Sequence, residues 1–373
     1  MHIIVAPDSF KGTASAMQAA AAIAGGLREA LPDATITTCP MADGGEGTSE
    51  ILATAASLSG VEVQTITLPT TDARGRLTEA SYYLAGEHAL IDVASATGLP
   101  AVANDLDPLH SDSYGTGVLI ADAEARGAKH IVLCLGGSAT IDGGMGILAA
   151  LGAAAHDERG YALPKGGAPL VRLDNIDTAQ LNIKASALDY TLLADTRAVP
   201  IQAATMYGPQ KGVEGEHIAL LAGALLRLCE VTGTDENAES FGAAGGIPIA
   251  LRWLSQTLWG SEEHFEVVPG GAYVAEKIGL SAKLAEADLV VTGEGRFDEQ
   301  SLTGKVVGTV AELAGETPVG VIAGSIASPL PHGAVGIELD SAQGAAKGDV
   351  VEQLRAAAHA LAAKVAPVQT TEK

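Results

Sequence analysis

The sequence predicts an α/β protein in which a parallel-sheet domain is built from both ends of the chain and a second, mixed α/β domain is inserted. Strand and helix patterns alternate near both ends of the chain. Between them, the segment Val61–Val93 alternates with a period close to two, which is typical of antiparallel strands. The length of 373 residues also exceeds the usual size of one hydrophobic core, which favours two domains.

The first predicted elements are a strand, a helix, a strand and a second helix. The apolar run Ile3–Ala6 predicts a strand, and a stripe of small and apolar residues over 17–31 predicts a helix. Ala34–Thr38 predicts the next strand. The second helix is expected to begin near Asp43 and to end near Leu58.

An antiparallel meander is predicted to follow. Its strands are Val61–Ile66, Leu77–Leu84 and His88–Val93, and its turns are Asp72–Gly75 and Ala85–Glu87.

Helix and strand patterns alternate again through the rest of the chain. These elements are helix Thr116–Arg126, strand Ile131–Leu135, a helix from Met145, strand Tyr190–Ala194, helices Gly215–Thr232 and Leu251–Leu258, strand Leu289–Thr292, helix Val306–Leu313, strands Val319–Ala323 and Val335–Glu338, and helix Val350–Ala363. Residues 366–373 are expected to fray. Residues 1–68 with 286–373 are therefore predicted to form a Rossmann- or flavodoxin-like three-layer domain, and residues 69–285 the inserted domain.

Composition excludes several classes of function. Acidic residues outnumber basic ones by 45 to 22, which gives a net charge of −23. Such a surface repels nucleic acid and anionic lipid, so neither is expected as a partner. The cysteines Cys39, Cys134 and Cys229 are far apart in apolar surroundings and predict buried thiols in a reducing compartment. No signal peptide or membrane span is recognised, and a cytoplasmic location is expected.

The densest glycine-rich segment is Gly136–Gly146, directly after a predicted strand. It has five glycines, and the hydroxyl groups of Ser138 and Thr140 are expected to lie among exposed backbone amides. Such a loop suits a phosphate group, although tight turns alone would also explain the glycines. It is not a P-loop, and its match to a dinucleotide fingerprint lacks the acidic residue that should follow.

A second candidate site is Asp43–Thr48. Asp43 and Glu46 have the spacing of a capping box, which needs no ligand. Gly44, Gly45 and Gly47 are not explained by capping, because glycine costs about 1 kcal/mol in a helix relative to alanine. The alternative is an anion at the helix N-terminus, bridged by Mg²⁺ to the two carboxylates.

Three further segments carry charged residues at predicted turns, and the uncharged segment Ser113–Gly117 accompanies the last of them. Thr292–Lys305 contains acids and two cations, with a solvated loop as the alternative. In Ala6–Gly12, Asp8, Ser9 and Lys11 are expected at a strand end, where a lone lysine can also be a surface charge. Gly208–Gly212 and Ser113–Gly117 read equally well as plain turns. Together these loops favour phosphoryl transfer, in which positioning, Mg²⁺ and cations dominate.

The segments together resemble the type I bacterial glycerate kinase family over nearly the whole chain. The matching motifs are APDSFKG (6–12), PMADGGEGT (40–48), DPLHSDSYGTG (107–117), LGGSATIDGGMG (135–146), GPQKG (208–212) and TGEGRFDEQSLTGK (292–305). The resemblance implies phosphorylation of D-glycerate by ATP and Mg²⁺, usually to 2-phosphoglycerate. It also implies two α/β domains with the active site in the cleft between them.

The chain departs from this family pattern at three places. The stretch that in the family resembles CDVxNPLxG reads Ala194–Pro200 here; it lacks the asparagine but keeps Asp195. Pro248 replaces a glycine of the GAAGGxG block, so the turn there is expected to follow a different path. Val307 stands where the family often has proline.

The resemblance and the chemistry of phosphoryl transfer lead to specific assignments. Asp195 is the predicted base, because an oriented aspartate accepts the hydroxyl proton in many kinases, and Asp8 is the competing candidate. The predicted roles are catalytic for Asp195, Asp8 and Lys11; substrate-binding for Ser9, Tyr114, Thr116, Lys211 and Arg296; ATP-binding for Gly44, Gly45, Gly136, Gly137, Ser138, Thr140, Gly293, Glu294, Gly295 and Lys305; and Mg²⁺-binding for Asp43 and Glu46.

Two alternatives to a glycerate kinase stay open at this point. One is a kinase for another small hydroxy acid, which the altered Asp195 segment would allow. The other is a non-catalytic sensor that binds glycerate or a nucleotide. Assembly into a homodimer is also left open.

Overall fold

The computed structural model describes residues 1–10, 12–302, 304–339 and 349–365. The chain divides into two compact units, which we call the first unit (Met1–Asp43 with Gly271–Lys373) and the second unit (Gly44–Gly270). The predicted α/β class is confirmed, because each unit contains a sheet covered by helices.

The strands and helices are numbered in chain order. The strands are β1 (His2–Val5), β2 (Thr35–Thr38), β3 (Val63–Thr71), β4 (Leu77–Ala85), β5 (His88–Asp92), β6 (His130–Cys134), β7 (Ala154–His156), β8 (Asn175–Asp177), β9 (Asp189–Ala194), β10 (Phe265–Pro269), β11 (Leu289–Phe297), β12 (Val319–Ile326) and β13 (Val335–Glu338). The helices are α1 (Ala16–Ala30), α2 (Thr48–Leu58), α3 (Val93–Thr97), α4 (Leu99–Val102), α5 (Tyr114–Ala125), α6 (Met145–Ala150), α7 (Ile183–Ser186), α8 (Gln202–Thr205), α9 (Glu216–Thr232), α10 (Ile247–Trp259), α11 (Gly270–Lys277), α12 (Leu280–Leu284), α13 (Val306–Ala314) and α14 (Val350–Val365). Short 3₁₀ helices lie at Ala168–Arg172, Pro209–Lys211, Ala243–Gly245 and Glu299–Leu302.

The first unit is a doubly wound parallel sheet. Its strand order is β13-β12-β11-β1-β2, and every neighbouring pair is parallel. Helices α1 and α14 cover one face through a core that includes Ile23 and Leu354, and Val307 of α13 packs on the other face. The chain runs from β1 outward to β2 and from β11 outward to β12, so the direction of winding reverses between β1 and β11. Ligands of such sheets bind at the carboxyl ends of the strands at this reversal.

The second unit is a mixed sheet in the order β10-β9-β6-β5-β4-β3. Strands β3, β4 and β5 form the predicted antiparallel meander, and β5, β6, β9 and β10 are parallel. The core around this sheet is largely aliphatic, as the low aromatic content of 3% requires. The parallel strands β6 and β9 lead into the segments that carry the predicted phosphate loop and Asp195.

The units divide at different residues from the predicted boundaries. The prediction places residues 44–68 in the first domain, but β3 pairs along its whole length with β4 and therefore lies in the second unit. It places residues 271–285 in the inserted domain, and these residues lie in the first unit. The predicted tail, 366–373, is outside the described residues.

The predicted start of the second helix at Asp43 is wrong. Helix α2 begins at Thr48, and its N-cap is Gly47 with a left-handed φ of 88°. Glycine is the residue that adopts this conformation without strain. Over the part of the chain that the structure describes, none of the helices has the length and apolar character needed to cross a bilayer.

Candidate active site

Asp8 and Ser9 follow β1 at the carboxyl edge of the first sheet. The Asp8 amide donates to the Gly293 carbonyl oxygen at 2.8 Å, and Asp8 Oδ1 accepts the Ser9 amide at 2.6 Å. Asp8 is buried and Ser9 is half-buried. The contact with Gly293 brings two of the predicted segments together where the winding reverses. Lys11, which is predicted to act with Asp8 and Ser9, lies outside the described residues.

Strand β11 continues to Phe297 rather than ending at the predicted Thr292, so Glu294 lies within the strand. Its carboxylate is buried. The alternative of a solvated loop is therefore wrong for residues 292–297. Glu294 is 7% exposed, and its Oε1 has no hydrogen-bond partner among the described residues. Burial raises the pKa of Glu294 to about 7; the Ser301 hydroxyl opposes this shift.

Charged residues of both signs act on Glu294. The Lys305 ammonium lowers the pKa of Glu294, whereas Asp43 and Asp298 raise it. Lys305 is the residue immediately before α13. Arg296, in contrast, is exposed, and its Nε lies 3.5 Å from Asp298 Oδ2. The structure therefore groups Glu294 with Asp43 and Lys305, and leaves Arg296 at the surface.

Gly293 of β11 and Gly324 of β12 have a packing role. A Cβ added at Gly293 would lie 2.1 Å from the Ile322 carbonyl oxygen of β12. A Cβ at Gly324 would lie 2.2 Å from the carbonyl oxygen of Gly295. These approaches are too close for any side chain, so Gly293 and Gly324 are required by the pairing of β11 with β12.

Asp43 is buried, but it does not cap a helix. Because α2 begins at Thr48, the capping-box alternative is wrong, and Glu46 is exposed. The amides of Gly47 and Ser49 donate instead to Asp92 Oδ2 and Oδ1, at 2.8 and 3.0 Å. Asp92 is not recognisable in the sequence, because it is 45 residues from Gly47 and lies within the predicted strand His88–Val93.

Gly44, Gly45 and Gly136 let two loops of the second unit touch through their backbones. The Gly136 amide donates to the Gly44 carbonyl oxygen at 2.9 Å. A Cβ at Gly136 would lie 2.5 Å from Gly45 Cα, and one at Gly44 would lie 2.6 Å from the Leu193 carbonyl oxygen. The two predicted phosphate-binding segments are therefore adjacent. Gly137 has a φ of 78°, and its carbonyl oxygen accepts the Leu99 amide at 2.8 Å.

Lys211 is a buried cation attached to this glycine-rich loop. Its ammonium donates to Ser138 Oγ at 3.2 Å and to the Thr140 carbonyl oxygen at 2.8 Å. Burial lowers the pKa of Lys211 to about 8, while the charges of Asp142 and Asp195 act to raise it. The loop at 136–146, the GPQKG segment and Asp195 are thus parts of one cluster, although they are far apart in the sequence.

Asp142 holds the far end of the loop in place. Its Oδ2 accepts the Ser113 amide, the Ser113 hydroxyl and the Gly146 amide at 2.8, 2.7 and 2.9 Å. Its Oδ1 accepts the Gly144 amide at 3.2 Å. The sequence did not single out Asp142, although its place between Thr140 and two glycines is a signal for a loop carboxylate that binds backbone amides.

The DPLHSDSYGTG segment contributes a second buried acid. Asp112 Oδ1 accepts the Tyr114 amide at 2.8 Å, and burial together with the charge of Asp142 raises the pKa of Asp112 to about 6. The Lys165 ammonium lies 3.5 Å from the centre of the Tyr114 ring. Thr116 is fully buried, and its hydroxyl pairs with that of Thr97 at 2.9 Å. Tyr114 thus lies near a second cation, whereas Thr116 is part of the core.

Asp195 follows β9 directly and is half-buried. The altered segment around it is held by Thr196, whose hydroxyl lies 2.7 Å from the Tyr207 hydroxyl and accepts the Ala198 amide at 3.2 Å. These bonds fix the backbone beside Asp195 without the asparagine of the family pattern.

The other two departures are accommodated at helix starts. Pro248 lies in the first turn of α10, where a missing amide costs nothing because that amide has no partner within the helix. Val307 lies in the first turn of α13, and its side chain is fully buried.

The residues present fit a magnesium ion held by few protein ligands. Among residues 1–10, 12–302, 304–339 and 349–365, no group of three or more His, Cys, Asp or Glu could hold a metal ion. Mg²⁺ commonly uses one or two carboxylates and completes its shell with water and phosphate oxygens. Asp43, which is buried near Glu294 and its unpartnered oxygen, meets this smaller requirement.

Known proteins match almost the whole chain. The model of the glycerate kinase family matches residues 3–370. The chain is 38% identical over 345 residues to glycerate 2-kinase of Escherichia coli K12, covering 87% of this chain and 86% of that protein. It is 34% identical over 337 residues to a glycerate kinase of Halalkalibacterium halodurans, covering 87% and 85%. The crystal structure of "putative glycerate kinase 2" from Salmonella typhimurium LT2 superposes with a TM-score of 0.76 at 36% identity and covers 98% of both chains.

Proposed function

The chain belongs to the glycerate kinase family, and from this premise we propose that it transfers the γ-phosphoryl group of ATP to the 2-hydroxyl group of D-glycerate. The products are 2-phosphoglycerate, ADP and a proton. The position of transfer follows the name of the Escherichia coli relative, a glycerate 2-kinase.

The observation that carries this proposal is the buried ammonium of Lys211 inside the glycine-rich loop. Two of its protons are donated to Ser138 Oγ and to the Thr140 carbonyl oxygen, so the cation has a fixed position. A fixed cation beside backbone amides stabilises the charge that develops on a transferred phosphoryl group. We assign Lys211, Ser138 and Thr140 to the phosphates of ATP. This moves Lys211 from its predicted substrate role to the nucleotide.

Asp195 is assigned as the general base. Its carboxylate accepts the proton of the substrate hydroxyl as that oxygen forms a bond to the γ-phosphorus and the bond to ADP breaks. The charge of Asp195 acts on Lys211, which supports a place beside the transferred group. Asp8, Ser9, Lys11 and Arg296 remain the predicted partners of the glycerate carboxylate and hydroxyl groups.

The predicted Mg²⁺ ion would be held by Asp43. When bound, Mg²⁺ neutralises negative charge on the β- and γ-phosphates. Lys305 and the amides of the glycine-rich segments would supply further positive charge.

A test of the proposed function is ADP release from ATP with a panel of small hydroxy acids. D-glycerate should give the highest kcat/KM, and phosphorus NMR should identify the 2-phosphate. A higher kcat/KM with another hydroxy acid would reassign the substrate. Binding of glycerate or ATP with no turnover of any acid would show a sensor instead.

We also propose a cytoplasmic location, supported by three free and buried cysteines among the described residues. A homodimer remains a prediction that sedimentation of the purified chain would test.

A further inference from the structure

Glu294 has an oxygen atom that the described part of the protein does not satisfy. Oε1 has no hydrogen-bond partner there, although the side chain is more than nine-tenths buried. A buried carboxylate oxygen without a partner destabilises the folded protein, and more so when the group is charged. Native proteins keep few such groups, and an ion or a water molecule at the site is one of the explanations for those that remain.

The surroundings of Glu294 favour a cation over a neutral donor. Asp43 is 3% exposed, and its charge acts on Glu294 together with that of Asp298. Among the described residues whose charges act most on Glu294, the acids Asp43 and Asp298 outnumber the one cation, Lys305. Two buried carboxylates close to each other are unfavourable unless a positive ion or a proton lies with them.

The position in the fold agrees with a ligand site. Glu294 lies on β11, and Asp43 follows β2; the strand between these two is β1. All three strands are parallel, so both carboxylates lie toward the same edge of the sheet. This is also the edge at which the winding reverses, where doubly wound sheets bind their ligands.

We propose that Asp43 and Glu294 together bind the divalent cation, with Glu294 Oε1 as the second protein ligand. This inference rests on the proposed kinase function for the identity of the ion as Mg²⁺. It replaces Glu46 in the predicted ligand pair, because Glu46 is exposed whereas Glu294 is buried. Two carboxylates would leave the other ligand positions of the ion to water and phosphate oxygens.

The test is a titration of the full-length chain with Mn²⁺, a substitute for Mg²⁺ whose free form is measured by electron paramagnetic resonance. It is run with and without a non-hydrolysable ATP analogue. Glu294→Gln and Asp43→Asn should each weaken Mn²⁺ binding about tenfold or more, because each removes one charged ligand. The double variant should lose less than the product of the two single effects, since both ligands serve one ion. Glu299→Gln, an exposed neighbour in the first unit, is the matched control and should bind as the wild type does.

Three results would overturn the proposal. The first is Mn²⁺ binding by Glu294→Gln at wild-type strength, which would leave Glu294 as a buried neutral acid. The second is a loss of binding in Glu46→Gln but not in Glu294→Gln. The third is a wild-type chain that binds no Mn²⁺ under either condition.

Folding and function are checked separately from metal binding. Thermal unfolding of each variant shows whether it is folded. If Glu294→Gln is unfolded, Glu294→Asp is used, since its shorter carboxylate retracts from the ion and should also weaken binding. A wild-type chain that binds Mn²⁺ through Glu294 but phosphorylates no hydroxy acid would refute the kinase proposal and leave the metal site standing. If the wild-type chain phosphorylates glycerate and Glu294→Gln binds Mn²⁺ as the wild type does, the kinase proposal stands and the metal site at Glu294 is refuted.

Discussion

Lys211 in the second unit and Glu294 in the first unit are buried ionisable groups of opposite charge. They differ in how many of their hydrogen bonds the protein itself makes. Both belong to glycine-containing segments, and burial moves the pKa of each toward neutral pH, to about 8 and about 7. Lys211 donates to two oxygens of its own unit, whereas one oxygen of Glu294 has no partner in the described chain. The second unit therefore fixes its charged group with its own oxygens, whereas the proposed cation would supply the missing partner in the first unit.

The largest effect expected in the second unit is the loss of the base. Asp195→Asn should lower kcat and kcat/KM together by about 10²–10⁴-fold with little change in the KM for glycerate. Asp8→Asn, its counterpart in the first unit, should mainly raise that KM. Steady-state kinetics of both variants make the distinction. A KM-only defect in Asp195→Asn, or a collapse of kcat in Asp8→Asn while Asp195→Asn stays active, would reverse the two roles.

The next largest effect is expected at Lys211. Lys211→Met should lower kcat/KM for ATP by roughly 10²-fold, because a fixed donor to the phosphates is removed. In the wild type the ammonium form is lost as pH rises through about 8, so kcat/KM should fall above that pH. The variant should lack this decline. Lys184→Met, at an exposed lysine of the same unit, is the control. An unchanged alkaline decline in Lys211→Met would show that another group causes it.

Stability measurements separate glycines required by packing from those that are not. Gly136→Ala places a Cβ 2.5 Å from Gly45 Cα, so we expect a loss of about 1–3 kcal/mol in the free energy of unfolding. Gly223 lies within α9, and no atom would lie within 4 Å of a Cβ added there. Gly223→Ala should therefore raise the free energy of unfolding by about 0.5–1 kcal/mol. Urea denaturation of both variants measures the difference. Equal stability of the two would mean that the loop at Gly136 shifts without cost.

The smallest effect is expected at Asp112, a buried acid of the second unit that accepts a hydrogen bond from the Tyr114 amide. The pKa of Asp112 is raised to about 6 from 3.8, so its ionisation destabilises the folded chain as pH rises through that window. The free energy of unfolding of Asp112→Asn, relative to that of the wild type, should therefore rise by about 1 kcal/mol between pH 5 and pH 7. Asp33→Asn, at an exposed position, measures the general effect of losing one negative charge. An equal change in the free energy of unfolding of both variants would show that the burial of Asp112 does not cause the effect.

The sequence predicts what local pattern determines. The apolar and alternating runs locate most strands, including the meander, and the six motifs identify the family, which the matches confirm. The start of α2 is not predictable in this way, because the carboxylate that accepts its first amides belongs to Asp92, 45 residues away. The attachment of Lys211 to Ser138 spans 73 residues, and the unit boundary depends on the pairing of β3 with β4. Such long-range contacts have no signature in a single sequence.

The position of β1 between β11 and β2 in the first sheet has a consequence for how the protein is made. The Thr292 hydroxyl donates to the Ala6 carbonyl oxygen, a contact between residues 286 positions apart. At about 5–20 residues per second, a ribosome needs roughly 15–60 s to bring these partners together. The second unit is contiguous, so it can fold during synthesis while β1 still lacks β11 and α1 still lacks α14. Chaperones that bind exposed apolar segments should therefore contact the segment from β1 to β2 in the nascent chain until β11 has left the ribosome.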